Sequence, residues 1–211
     1  MSAGTWLKEK TVGFRHGIVK RIAPKLYSLA SIVESMNTSM LMATPRPMTL
    51  FLKDYMINTE LVGVEIGIAK AQNALSILQE LRIKKLFLVD PYVPYLENGQ
   101  VVSYQEFYEE AMQKISGLKQ VVFLHKTSEQ ALEDIDEPLD FVYIDGNHSY
   151  EYVKQDIENY FPKVTTGGVL GGHDYTPFNV EDVAKAVNEF VGKHNRRNFY
   201  AVFPDWWYVK L

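Results

Sequence analysis

No cysteine occurs among the 211 residues of the chain. That absence excludes disulfides, a thiol nucleophile and cysteine-ligated zinc, and it fits a reducing compartment. Also missing is any apolar run long enough to cross a bilayer. The charged N-terminus is not followed by the apolar stretch of a secretory signal, so a cytoplasmic protein without a transmembrane segment is expected. Net positive charge is lacking too: at −4 overall, the chain has no general attraction for nucleic acid. The balance is uneven, because residues 1–30 carry +5 (Lys8, Lys10, Arg15, Lys20, Arg21 and Lys25 against Glu9) and the remainder carries −9. Such an arm suits an acidic partner, a membrane surface or the acidic body of its own fold.

What is present is the composition of an ordered globular protein, with 13 Tyr and 11 Phe and neither internal repeats nor low-complexity tracts. The length allows one full core with an appendage. From residue 61 onward, short apolar runs alternate with helical patterns. LVGVEIG (61–67), KLFLVD (85–90), VVFLH (121–125), LDFVYID (139–145) and GGVLGGHD (167–174) are strand candidates. Their continuous apolar character suits parallel strands covered on both faces. Tyr150, Val153, Ile157, Tyr160 and Phe161 share one helical face, as do Val180, Val183, Ala184, Val187, Phe190 and Val191. Residues 127–136 can form a short helix capped by Thr127 or Ser128. The expected fold is therefore α/β, a doubly wound and mostly parallel sheet over residues 59–211. It closes with an antiparallel hairpin from NFYAVF (198–203) and WWYVKL (206–211).

Residues 1–58 are expected to form a separate helical or lid segment, through which subunits could pair. Phe14, Ile18, Ile22 and Leu26 recur every four residues, interrupted by Pro24. Met36, Met40, Met42, Met48 and Met56 follow, around Pro45-Arg46-Pro47; they suit either an adaptable cover over a ligand or ordinary core packing.

Ligands of open parallel sheets collect beyond the carboxyl ends of the strands. Four of the five runs end there in polar residues: Asp90, His125, Asp145 and the pair His173-Asp174. The first turn does not fit a nicotinamide fingerprint, since its last glycine would fall on Gln72. It fits acidic-x-G-x-G-x-G better, as Glu65, Gly67, Ala69 and Ala71, with small residues wherever backbone must approach a ligand. Asp90 can accept hydrogen bonds from both hydroxyls of a ribose, or simply open a turn before Pro91.

Taken together, Glu65-x-Gly67, LVDPY (88–92), IDGNHSYE (144–151) and GGVLGGHDY (167–175) resemble the class I S-adenosylmethionine-dependent methyltransferases. Within these, the chain is most similar to the branch of metal-dependent O-methyltransferases of sugar or phenolic hydroxyls and cephalosporin hydroxylase-like proteins. The resemblance implies that Glu65, Gly67 and Ala69 line the methionine end of S-adenosylmethionine, that Asp90 holds its ribose and that Thr127 and Ser128 lie beside its adenine. It further implies Asp145 and Asp174 as metal ligands and His148 as general base. His173 stands where some relatives carry a second carboxylate.

The chemistry can be argued from the residues as well. Side chains leaving neighbouring strands about 4.8 Å apart can share one cation. Two carboxylates suit Mg²⁺, and an imidazole from His173 moves the preference toward Mn²⁺. A cation lowers the pKa of an acceptor hydroxyl and His148 can take its proton. For Asp145 and His148 alone an ordinary turn, with His148 capping the following helix, explains as much. The His173-Asp174 pair at the next strand end favours a site. The expected activity is methyl transfer to a hydroxyl of a small molecule or sugar, with a non-catalytic cofactor-binding protein and a metal-independent enzyme as alternatives.

Overall fold

A computed structural model describes residues 44–94, 96–97, 100–101, 104–176 and 182–211. The Phe14–Leu26 periodicity and Met36, Met40 and Met42 lie outside the described residues. So of the segment 1–58 only the part from residue 44 is seen, and it belongs to the same compact unit as everything that follows.

The chain runs through α1 (Pro47–Tyr55), β1 (Leu61–Ile66), α2 (Gln72–Glu80), β2 (Ile83–Val89), the short pair β3 (Leu96–Glu97) and β4 (Gln100–Val101), and α3 (Gln105–Ile115). It continues with β5 (Val121–Leu124), α4 (Ser128–Ala131), β6 (Leu139–Ile144), α5 (Tyr150–Tyr160), β7 (Val164–Gly172), α6 (Val183–Gly192), β8 (Phe199–Val202) and β9 (Asp205–Val209). Seven strands form one sheet in the order β5-β2-β1-β6-β7-β9-β8. The first five are parallel, and β9 joins β7 and β8 antiparallel to both. The α/β class, the mostly parallel sheet and the closing hairpin are thus as the sequence leads one to expect.

Strand periodicity divides the core in two. Val62, Val64 and Ile66 of β1 join Val142, Ile144 and Leu170 in a layer completed by Val153 and Ile157 of α5 and Val187 and Phe190 of α6. Leu61, Leu86, Leu88, Phe141 and Val169 face the other way, against Leu52 of α1, Ile77 of α2 and Ile115 of α3. With both faces covered, the strands can be apolar along their whole length. Gly63 makes room on that second face, because a Cβ there would overlap the Phe141 ring.

From β1 the chain moves outward to β2 and β5, then returns to lay β6 on the other side of β1. The crevice of the sheet therefore opens where the turns after β1 and β6 diverge.

Helix α1 has no cap of its own. Arg46 occupies the capping position and Pro47 opens the helix, so the free N–H of Met48 needs another acceptor. Asp205, fully buried at the start of β9, supplies it: Oδ2 accepts from Met48 N at 3.0 Å, and Oδ1 accepts from the Tyr143 hydroxyl at 2.9 Å. Burial pushes this carboxyl up to about 6, against the pull of the Met48 hydrogen bond. Asp205→Ala is expected to cost about 2–4 kcal/mol in urea denaturation, because two buried donors lose their acceptor. Asp205→Asn, which keeps a polar group there, should cost about 1 kcal/mol or less.

Candidate active site

The turn after β1 alternates in handedness. Gly67, Ala69 and Ala71 all have positive φ, at 80°, 43° and 56°. A Cβ on Gly67 would overlap the carbonyl of Asp145, so glycine is required there by the close approach of two turns. Ala69 and Ala71 adopt the left-handed region despite their methyl groups, at a cost of roughly 1 kcal/mol each. Asp90 holds the turn in this shape: its Oδ2 accepts from Ile68 N at 3.0 Å and Ala69 N at 3.2 Å, and its Oδ1 from Tyr92 N at 2.8 Å. The Tyr92 hydroxyl donates to Ala69 O at 2.6 Å. Three of about four acceptor positions of Asp90 are thereby spent on backbone, leaving one.

Behind the turn stands Glu65, only 1% exposed on β1. Its Oε1 accepts from Asn73 Nδ2 at 3.0 Å, whereas Oε2 and Asn73 Oδ1 are buried without a hydrogen-bond partner among the described residues. Burial pushes the Glu65 carboxyl up to about 8, a shift that the Asn73 hydrogen bond opposes and the Asp145 charge reinforces.

At the ends of β6 and β7 four side chains converge. His148 Nε2 lies 3.1 Å from Asp174 Oδ2 and 3.6 Å from Asp145 Oδ1. His173 Nδ1 lies 2.9 Å from Asp174 Oδ2 and 3.7 Å from Asp145 Oδ1. Asp174 is itself left-handed, with φ 59°. Burial works against a charge on Asp174, but the His173 hydrogen bond and the neighbouring His148 outweigh it and hold the pKa below the ordinary value. Burial likewise opposes a charge on His173, while Asp174 and Asp145 favour one and carry its pKa upward. Its other nitrogen decides the form present: Arg46 Nη1 approaches Nε2 to 2.6 Å, which requires a lone pair there.

Both nitrogens of His173 are therefore engaged, and the imidazole that joins the two carboxylates is that of His148. One ligand atom from each of Asp145, His148 and Asp174 lies within 4.8 Å of the others. His148 does not cap α5; the turn before that helix is closed by Asn147, whose Oδ1 accepts from Ser149 N at 2.9 Å.

The remaining candidates sit at the end of β5. Thr127 caps α4, its hydroxyl accepting from Gln130 N while Gln130 reaches back to Thr127 N. Ser128 is bound from behind by Asp156 through its side chain and by the Tyr160 hydroxyl at its carbonyl. The Thr127 hydroxyl thus serves as an acceptor and the Ser128 hydroxyl as a donor. His125 stacks on Tyr108 with centroids 5.1 Å apart and meets Pro91 O at 3.0 Å. Arg46 belongs to the same cluster, through His173. Its mark in the sequence is slight, an arginine enclosed by two prolines where a helix begins.

Residues 64–175 match the family described as a methyltransferase domain. A stretch of 52 residues, 24% of the chain, is 44% identical to protein y4gI of Sinorhizobium fredii, and the match takes in only 6% of that relative's length. Among solved structures, the O-methyltransferase NovP aligns at a TM-score of 0.58 with 18% identity, over 77% of this chain and 76% of its own. An rRNA methylase from Streptococcus thermophilus aligns at 0.55 with 18% identity, over 78% and 95%. The MycE methyltransferase of the mycinamycin pathway, in complex with Mg, SAH and mycinamycin VI, aligns at 0.53 with 17% identity, over 77% and 48%, so this chain spans about half of it. At these identities the likeness is one of fold.

Two outcomes follow from the geometry of the turn. The Glu65 carboxyl has a folded-state pKa above its unfolded value of about 4.3, so the stability it contributes is complete below that value and is lost as pH rises through about 8. Glu65→Gln should flatten the decline in thermal stability between those limits, a slope of at most about 1.4 kcal/mol per pH unit. Ala69→Gly, at an exposed left-handed position, should raise stability by about 0.5–1 kcal/mol in denaturant titration. Ala71→Gly should gain nothing, because the Ala71 methyl is buried in the core.

Proposed function

We propose that this chain, which belongs to the methyltransferase-domain family and is an S-adenosylmethionine-dependent methyltransferase, moves the methyl group to a hydroxyl oxygen of a small molecule or sugar with the help of a divalent cation. The observation that carries this reading is the convergence of Asp145, His148 and Asp174 beside the turn after β1.

The residues suit both groups. Two buried acceptors with no partner among the described residues, Glu65 Oε2 and Asn73 Oδ1, are what an ammonium donor such as that of a methionine moiety would fill. Asp90 keeps one acceptor position for a ribose hydroxyl, and the turn it shapes brings the backbone of Gly67 to Ala69 alongside. Thr127 and Ser128 would lie beside an adenine, with the Thr127 O–H as the donor that the cap does not use. Asp145 and Asp174 would hold Mg²⁺ or Mn²⁺, whose contribution when bound is to acidify the acceptor hydroxyl. His148, whose side chain is more exposed than either carboxylate, is the group that takes the hydroxyl proton. His173 does not reach the acceptor; it orients Asp174 through Nδ1.

A second reading, a cofactor-binding protein without turnover, draws on the methyl groups that Ala69 and Ala71 add to the turn. Isothermal titration of the full chain with S-adenosylmethionine, with and without Mg²⁺, tests the enzyme: binding is expected, and none under either condition would reject it. With a pool of hydroxylated compounds as acceptors, His148→Ala is expected to lower methyl transfer about 10²–10⁴-fold without weakening cofactor binding. Cofactor binding with no methyl release to that pool would favour the second reading. Activity that survives a chelator would leave His148 as base and remove the cation.

A further inference from the structure

We infer that Arg46 is a positioning residue of this site: by donating to His173 Nε2, it fixes the imidazole tautomer whose Nδ1–H holds the Asp174 carboxylate against His148. A guanidinium has only donors and does not lose its proton, so the nitrogen it meets at 2.6 Å must carry a lone pair. A neutral ring then has its single proton on Nδ1, which lies 2.9 Å from Asp174 Oδ2. The same Oδ2 is 3.1 Å from His148 Nε2. Donation thus runs in one direction from Arg46 through His173 to Asp174, ending on the oxygen that also faces His148.

Two further features argue that this carboxylate needs such support. Asp174 stands at φ 59°, a conformation costly for a side-chain-bearing residue and one that persists only when its surroundings hold it. Arg46 is 7% exposed, so its contact with His173 is kept from water, and a hydrogen bond shielded in that way is stronger. Its own position is secured on either side: Pro47 opens α1, and Asp205 accepts from Met48 N. The first turn of α1 therefore serves as the mount from which Arg46 reaches a histidine 127 residues further along the chain.

What Asp174 does once oriented rests on the methyltransferase reading above; the hydrogen-bond chain stands on its own. The full chain labelled with ¹⁵N-histidine, at a fixed pH of about 8 and without metal, reports each ring's tautomer by NMR. His173 is assigned by the signal lost in His173→Gln. In the unaltered chain His173 is expected as the Nδ1–H tautomer, and in Arg46→Met that preference should disappear. Binding of Mn²⁺ alone should weaken about 10-fold to 100-fold in Arg46→Met, while affinity for S-adenosylmethionine is retained. Arg46→Lys, which keeps a cationic donor, should recover part of both effects.

An Nε2–H tautomer in the unaltered chain would overturn the inference outright, whether or not Arg46→Met folds. So would an Arg46→Met protein with both the tautomer and the Mn²⁺ affinity unchanged. If the unaltered chain binds no Mn²⁺, the cation of the proposed function falls, and the tautomer still decides the role of Arg46.

Discussion

Two carboxylates at the ends of adjacent parallel strands repel each other, and the described site is organised around holding them together. Asp145 ends β6 and Asp174 follows β7, and between them stand two imidazoles. Each ring brings a nitrogen within 4 Å of both acids, so imidazole edges stand between the two negative charges. Arg46 adds a permanent positive charge behind one ring. The two histidines are unequal partners: the His173 side chain is buried beneath the carboxylates, and that of His148 is partly exposed although its Nε2 is turned in toward them.

The same constraint explains the turn after β1. It must pass close to Asp145, which only glycine permits at position 67, and then bend sharply enough to start α2 beside β2. Asp90 reaches across from β2 to tie the bend. The turn after β1 and the acidic rim are consequently parts of one support, built from the ends of four neighbouring strands, β2, β1, β6 and β7. Loop positions placed on such a scaffold are where binding and chemistry usually reside.

Much of this was readable in the sequence, for reasons that are local. The parallel strands are apolar along their length because both faces are covered, and the hairpin announces itself by Pro204-Asp205 between aromatic runs. Thr127 was readable as a cap because its partner Gln130 is three residues away. The polar strand ends Asp145, His148, His173 and Asp174 do meet. What stayed hidden is tertiary. Helix α1 borrows its cap from a residue 157 positions later, and nothing in its own sequence shows that. The group that meets His173 Nε2 is Arg46, brought in from before α1. Asp90 reads as a ligand-binding carboxylate, yet most of its capacity serves backbone N–H groups, which carry no side-chain signature.

The absence of any gap between Gly67 and the Asp145 carbonyl has a practical side for inhibitor design. A compound lodged against the turn after β1 need not reach the acidic rim to disturb it. Enough bulk to push that turn aside would press on the neighbouring backbone and misalign the carboxylate from behind, so blockade could be achieved by a wedge that never competes for the acceptor's own place.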